Sequence, residues 1–353
     1  MKKISKIILT STVILSALIV SSCGNNSISK TDLSEKEVYY APLRGVETDK
    51  DSINKPVFAV MLDNHPKARP QSGLNDADII YEYKAEGQYT RYMALFQNNE
   101  ADIIGPVRSA RPYFVNTAKE YNAIYSHWGG SDAGYEQISK DKINDLDGIY
   151  LEGSTYYRNK EVKKKAPHNG YTSYELLKKA SEDKNYLKDY SIGRTLNFDN
   201  SSDLKDIKNE MKDNEADDIT FDFFKGFYSV NFKYNKDENA YEIFRNNEAL
   251  TDEKDGSNVL AKNIILQYAS SKVTGPKLTL TINQVGEGRG KLFTNGRVID
   301  INWEKTDENS KTIYTTEDGK EIILTPGVTF VEVLDENDPV TILPEHSEKE
   351  SNK

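Results

Sequence analysis

Between residues 215 and 335 the chain lays down eight strand-length runs in close succession: DITFDFF, FYSVNFKYN, AYEIFRN, NIILQYAS, KLTLTINQV, KLFTNGRVIDINWEK, KTIYTTEDGKEIILT and VTFVEVL. Gly, Asn and Asp punctuate them, and Asn295-Gly296 and Asp318-Gly319 stand at hairpin positions. Such dipeptides favour primed turns, whose twist suits paired strands. Short strands at this spacing predict a mostly antiparallel β domain over 215–335, a sandwich or partial barrel.

The first half reads differently. PVFAVMLD, at 56–63, has the length and flanks of a buried strand. ADIIYEYKAEG and TRYMALFQN are two more, joined by a turn at Gly87. PYFVNTAKEYN carries helix spacing, with Phe114, Ala118 and Tyr121 on one face. AIYSHWGG is a strand ending in a glycine turn, and SDAGYEQISK a helix capped by Ser131 or Asp132. TSYELLKKA opens on Thr172 with Glu175 three residues on, a capping-box spacing. Alternating signals of this kind predict an α/β or α+β layered domain with a mixed sheet over 41–190. Residues 191–214 read as a charged connection with one helix, and 336–353 as a disordered tail. More than one core is expected for a chain this long.

The amino terminus bears on location. Lys2, Lys3 and Lys6 precede an apolar run from Ile7 to Val20, and small residues lead into Cys23. This is the pattern of a secretory signal peptide over 1–22, shorter in its apolar run than a bilayer-spanning helix. Val20-Ser21-Ser22-Cys23 matches a lipobox, so lipidation of Cys23 and attachment to a bilayer are expected, with 23–40 as a tether. Several acyl chains anchor firmly where a single one does not. Cys23 is the only cysteine, so no disulfide within the chain is expected. Loss of the leader moves the formal charge from −10 to −13. That acidity argues against nucleic acid as a partner, because phosphates require an excess of Lys and Arg.

Candidate site residues fall in the first half. Strand alternation places Asp78, Ile80 and Glu82 on one face and Ile79, Tyr81 and Tyr83 on the other. Arg91 shares a face with Met93 and Leu95, and a Glu82–Arg91 pair is expected if both point inward. Desolvation raises the pKa of such a carboxyl unless a cation offsets it. IIGPVRSARP brings Arg108, Ser109 and Arg111 behind a buried-looking turn. These arginines either pair locally, with Glu120 and Asp102, or wait for an anion. In SHWGGSD, His127 ends a strand and Ser131 starts a helix, where exposed N–H groups suit an anion or a simple cap. Arg158, His168 and Asn169 complete the set from loop segments. Neither a P-loop nor a dinucleotide spacing is present, and the four histidines lack zinc-ligand spacing, so no cofactor or metal is expected.

In ARPQSGLNDADIIYEYKAEGQYTRYMALF, IGPVRSARPYF, HWGGSD and APHNGYTS, and later in GRGKLFTNGRVIDINWEK and DGKEIILTPGVTFVEV, the chain resembles the YerB-like bacterial lipoproteins. That family pairs an N-terminal domain of unknown function with a β-rich partner. The resemblance implies the lipoprotein location and two-part layout, and brings no catalytic assignment. Its positions here are Glu82, Glu86, Thr90, Arg91, Arg108, Ser109, Arg111, His127, Ser131, Arg158, His168 and Asn169. Three functions are weighed. One is an envelope enzyme cleaving peptidoglycan, with Glu82 or Glu86 as general acid. Another is a ligand-binding or scaffolding lipoprotein holding an anionic or polyhydroxylated envelope component. The last is hydrolysis by Ser109 or Ser131 with His127 or His168, for which no G-x-S-x-G elbow is present.

Overall fold

The computed structural model describes residues 37–201, 204, 214–274 and 279–343. The leader, Cys23, most of the tether, much of the 191–214 connection and the end of the tail lie outside the described residues. Five strands of the first half are β1 (Phe58–Asp63), β2 (Ile79–Lys84), β3 (Thr90–Phe96), β4 (Ile124–His127) and β5 (Asp145–Asp147). From the second half come β6 (Asp218–Phe224), β7 (Tyr228–Asn235), β8 (Ala240–Arg245), β9 (Glu248–Ala249) and β10 (Asn263–Tyr268). They are followed by β11 (Gly286–Thr294), β12 (Arg297–Lys305), β13 (Ile313–Thr316), β14 (Thr329–Leu334) and β15 (Val340–Leu343). Ten of them form one open mixed sheet, ordered β13-β12-β11-β10-β14-β2-β3-β1-β4-β5. A second sheet runs β9-β8-β7-β6-β15, with Leu260–Ala261 pairing onto β8.

Residue patterning explains the layers. Every residue of β1, β2, β10 and β14 is buried, as in strands covered on both faces. β6 instead alternates between buried and partly exposed, because only one face of its sheet is covered. Phe58, Val60, Ile80, Ala94, Ile264 and Phe330 share one core with Ile219, Phe221, Phe232 and Ile243 of the small sheet. On the opposite face, Ala59, Met61, Ile79, Met93 and Leu95 pack with Phe114, Val115 and Ala118 of helix α1 (Pro112–Glu120). Helix α2 (Asp132–Asp141) adds Ile138 to that core.

The two halves of the chain therefore meet in one sheet. β14 lies parallel to both β10 and β2, pairing Thr329 with Asn263 on one side and with Ile79 on the other. Residues 41–190 and 215–335, expected as separate layers, share this seam, and the described residues from Val38 onward form one compact unit. Local signals resolve as follows. Asn295 and Gly296 both take positive φ in the β11–β12 turn, as a primed turn requires. Ser131 caps α2, its Oγ accepting from Gly134 N at 3.1 Å. The cap of helix α3 (Tyr174–Asp183) is Ser173 rather than Thr172, whose hydroxyl donates to Thr155 O at 2.9 Å. Thr172 is already engaged in backbone pairing with Ile104, so the helix starts one residue later than its spacing suggests.

Candidate functional site

The segment 105–111 is sewn between β1 and the loop that carries His168. Arg108 N donates to Met61 O, Val107 N to Gly170 O, and Ala110 N to Gly129 O. Gly105 permits this: a Cβ there would meet Gly170 O at 2.8 Å and the Tyr171 ring at 2.7 Å. Arg108 is thereby delivered to the carboxyl end of β1, where its Nε lies 3.1 Å from Asp63 Oδ2. The same oxygen accepts from His168 Nδ1 at 2.7 Å. His65 stacks on His168 with centroids 4.7 Å apart, and Tyr89 packs on His65 at 4.5 Å.

A second carboxylate sits beside this one. Glu86 occupies the β2–β3 turn, where Gly87 takes φ 74°. Arg111 donates to it through both Nε and Nη2, the latter at 2.9 Å, in a bidentate fork. Arg91 reaches the same carboxylate at 3.5 Å and Ser109 O at a similar distance. Burial pushes the Glu86 carboxyl up, but the Arg111 hydrogen bond and the charges of Arg91 and Arg111 outweigh it and hold it below the usual range. Burial and the neighbouring Arg111 lower Arg91 to about 10. His65 is also lowered, by burial and then by His168. Three guanidinium groups thus share two carboxylates, Asp63 and Glu86, and crowd one another. The side chains of Arg108, Glu86, His168, Arg111 and Arg91 keep partial exposure, from 24% down to 11%.

Glu82 belongs to a different cluster. Arg91 pairs across the ladder with Tyr83, and Glu82 with Tyr92, so Glu82 and Arg91 project from opposite faces. Both faces are buried, so pointing inward did not select one. The expected Glu82–Arg91 pair is replaced by Arg245 of β8, whose Nη2 donates to Glu82 Oε2 at 2.7 Å and to Glu332 Oε1 at 3.0 Å. Thr90 Oγ1, Asn64 Nδ2 and Tyr228 OH also donate to Glu82. Glu82 and Glu332 face each other on parallel strands, and both are 0% exposed. Burial, and next the charge of Glu82, raise the Glu332 pKa well above normal despite Arg245.

The remaining candidates divide. His127 is wholly buried, with Nδ1 donating to Gly129 O at 2.9 Å and Nε2 lying 3.1 Å from Asp145. Ser131 is a helix cap. Arg158 stacks over Trp128 at 3.9 Å, lies 3.5 Å from Glu152 and donates to Asn169 Oδ1 at 3.4 Å, beside the His168 loop. Arg108 and Arg111 pair with neither Glu120 nor Asp102. Glu120 binds Arg194 and Lys305, and Asp102 binds Lys254. Asp63, His65 and Tyr89 escaped the sequence reading. The available signal was LDNH at the carboxyl end of a buried strand, where α/β ligand sites gather.

The family described as "Protein of unknown function (DUF3048) N-terminal domain" matches residues 43–187, and its C-terminal counterpart matches residues 219–331. A Bacillus subtilis (strain 168) protein named "Putative lipoprotein YerB" is 34% identical over 304 residues, covering 86% of this chain and 88% of that protein. The crystal structure of the Bacillus subtilis YerB protein superposes with a TM-score of 0.76 at 32% identity, covering 86% of this chain and 99% of the other. With both domain matches in sequence and this likeness across the shared sheet, the chain belongs to the YerB-like family.

Proposed function

We propose that the protein is an extracytoplasmic lipoprotein, anchored to the membrane through Cys23, that binds an anionic or polyhydroxylated cell-envelope ligand without turning it over. The observation that carries this reading is the partly exposed convergence of Arg91, Arg108 and Arg111 on Asp63 and Glu86. A guanidinium shared among too few carboxylates gains from a further oxyanion. His168 and Tyr89 add a donor and an aromatic face beside it. The anchor rests on the lipobox and on the name of the Bacillus subtilis relative, "Putative lipoprotein YerB".

Binding is favoured over glycan cleavage by the state of the two expected acids. A general acid must be protonated and must reach the leaving oxygen. Glu82 is wholly buried beneath four donors, and Glu86 is held ionised by Arg111 and Arg91. Hydrolysis retains one supporting feature: Asp63 orients the His168 imidazole at 2.7 Å, as a base-holding carboxylate would.

Calorimetry with a purified disaccharide-tetrapeptide muropeptide, followed by mass spectrometry of the mixture, separates these readings. Binding is expected in the wild type and lost in Arg108→Ala and Arg111→Ala, with the ligand recovered intact. Release of muropeptides from purified wall by wild type but not by Glu82→Gln would overturn the binding reading. Labelling by a fluorophosphonate probe would establish the hydrolytic one.

A further inference from the structure

A cavity of about 210 Å³ lies between the turn at Pro66–Pro70 and the hairpin of β8 and β9. Arg69, Arg245, Glu248 and Thr251 line it together with Pro66 and Pro70. The two arginines differ in what they hold. Arg245 is fully committed to Glu82, Glu332, Tyr92 and Phe244 O. Arg69 makes no ion pair among the described residues. Its Nε donates to Asn64 Oδ1 at 3.0 Å, and its Nη2 is buried with no acceptor.

Arg69 is also held in place. Asn64 cannot turn away, because its Nδ2 is engaged with Glu82, Thr90 and Tyr228. The Arg69 guanidinium lies 5.2 Å from the Tyr228 ring centre, which braces its face. One edge is therefore fixed by Asn64, and the terminal edge is left without a protein partner among the described residues. Burying a charged donor without an acceptor is costly, so such an edge is suited to an acceptor that arrives from outside.

We propose that this cavity is a separate carboxylate-binding site, in which the Arg69 guanidinium pairs with a single carboxylate group. Two features select that class. With Arg245 neutralised by its own acids, Arg69 supplies the one uncommitted positive charge of the lining, and Glu248 at the exposed rim disfavours a multiply charged anion. The volume is below the range of about 300–1,000 Å³ typical of larger ligands, so it suits a small group such as a peptide's terminal carboxylate.

The test is titration of the full chain with N-acetylalanine and with its amide at constant ionic strength, followed by protein-observed NMR. N-acetylalanine is expected to bind and the amide not to bind. Arg69→Ala is expected to weaken binding by about tenfold to a hundredfold, and Arg69→Lys, which keeps the charge, by less. Arg108→Ala and Arg111→Ala are expected to leave this binding unchanged. Glu248→Gln, on the exposed rim, is expected to tighten it and provides the readout if the Arg69 variants fail to fold. Equal binding of the amide, retention in folded Arg69→Ala, or weaker binding in Glu248→Gln would overturn the proposal.

Discussion

Glu82 and Glu86 stand four residues apart on one hairpin, and each is held by arginine, yet the two pairs do opposite work. Glu82 lies in the strand, where both sheet faces are covered, and its guanidinium arrives from β8 in the other half of the chain. Glu86 lies in the turn, where its partners come from β3 and from the residue preceding α1. The first pair exists only because the fold closes over it, and it joins the two sheets. The second stays in reach of solvent and carries more positive than negative charge. Identical side-chain chemistry thus becomes a sealed joint or a solvent-reachable cluster according to whether water can reach it.

The contrast can be broken at its strongest point first. Arg245→Ala removes the buried guanidinium that Glu82 and Glu332 share and is expected to cost about 3–5 kcal/mol, measured by urea unfolding. Glu82→Gln removes the ionic partner and is expected to cost about 2–3 kcal/mol. Glu332→Gln is expected to cost under about 1 kcal/mol, since burial already disfavours the charged form of that carboxyl. A larger loss in Glu332→Gln than in Glu82→Gln would reverse the roles given to the two carboxyls. Because the Glu332 pKa is raised in the folded state, its stabilisation is complete below the unfolded carboxyl range and is lost as pH rises through the folded value. Wild-type unfolding free energy should therefore decline more steeply with rising pH than that of Glu332→Gln.

At the turn the balance inverts. Arg111→Ala is expected to cost about 1 kcal/mol or less in stability, as partly exposed pairs do, while abolishing muropeptide binding. A large melting shift with binding intact would make the turn cluster a second joint. The smallest effect is at low pH. The Glu86 pKa is lowered, so its contribution is present above the unfolded carboxyl range and lost as pH falls through the folded value. Glu86→Gln should flatten that acid limb alone, leaving the decline due to Glu332 in place.

Much of this architecture was legible because it is local. Alternation along 78–83 assigned the faces of β2, Asn295-Gly296 marked the β11–β12 hairpin, and Ser131 announced a helix start. Arg91 was expected on Glu82 and instead joins Arg111 on Glu86, because the ladder turns it to the opposite face. The Glu82 partner was not legible. Arg245 and Glu332 are 163 and 250 positions away, and nothing in local periodicity ranks one distant arginine over a nearer one. Asp63 was passed over because it closes an apolar run, where its carboxylate looks like a mere end marker. Thr172 was mistaken for a cap because Glu175, three residues on, completes a capping-box spacing that the actual cap Ser173 lacks.

The placement of β14 bears on how the chain can be made. The edge of β2 stays bare until a segment synthesised 250 residues later is slotted between it and β10. Closing so long a loop is slow and leaves sticky backbone waiting. A nascent or truncated polypeptide ending before residue 329 would carry that unfinished margin, and a chaperone able to shield it would find its natural client there.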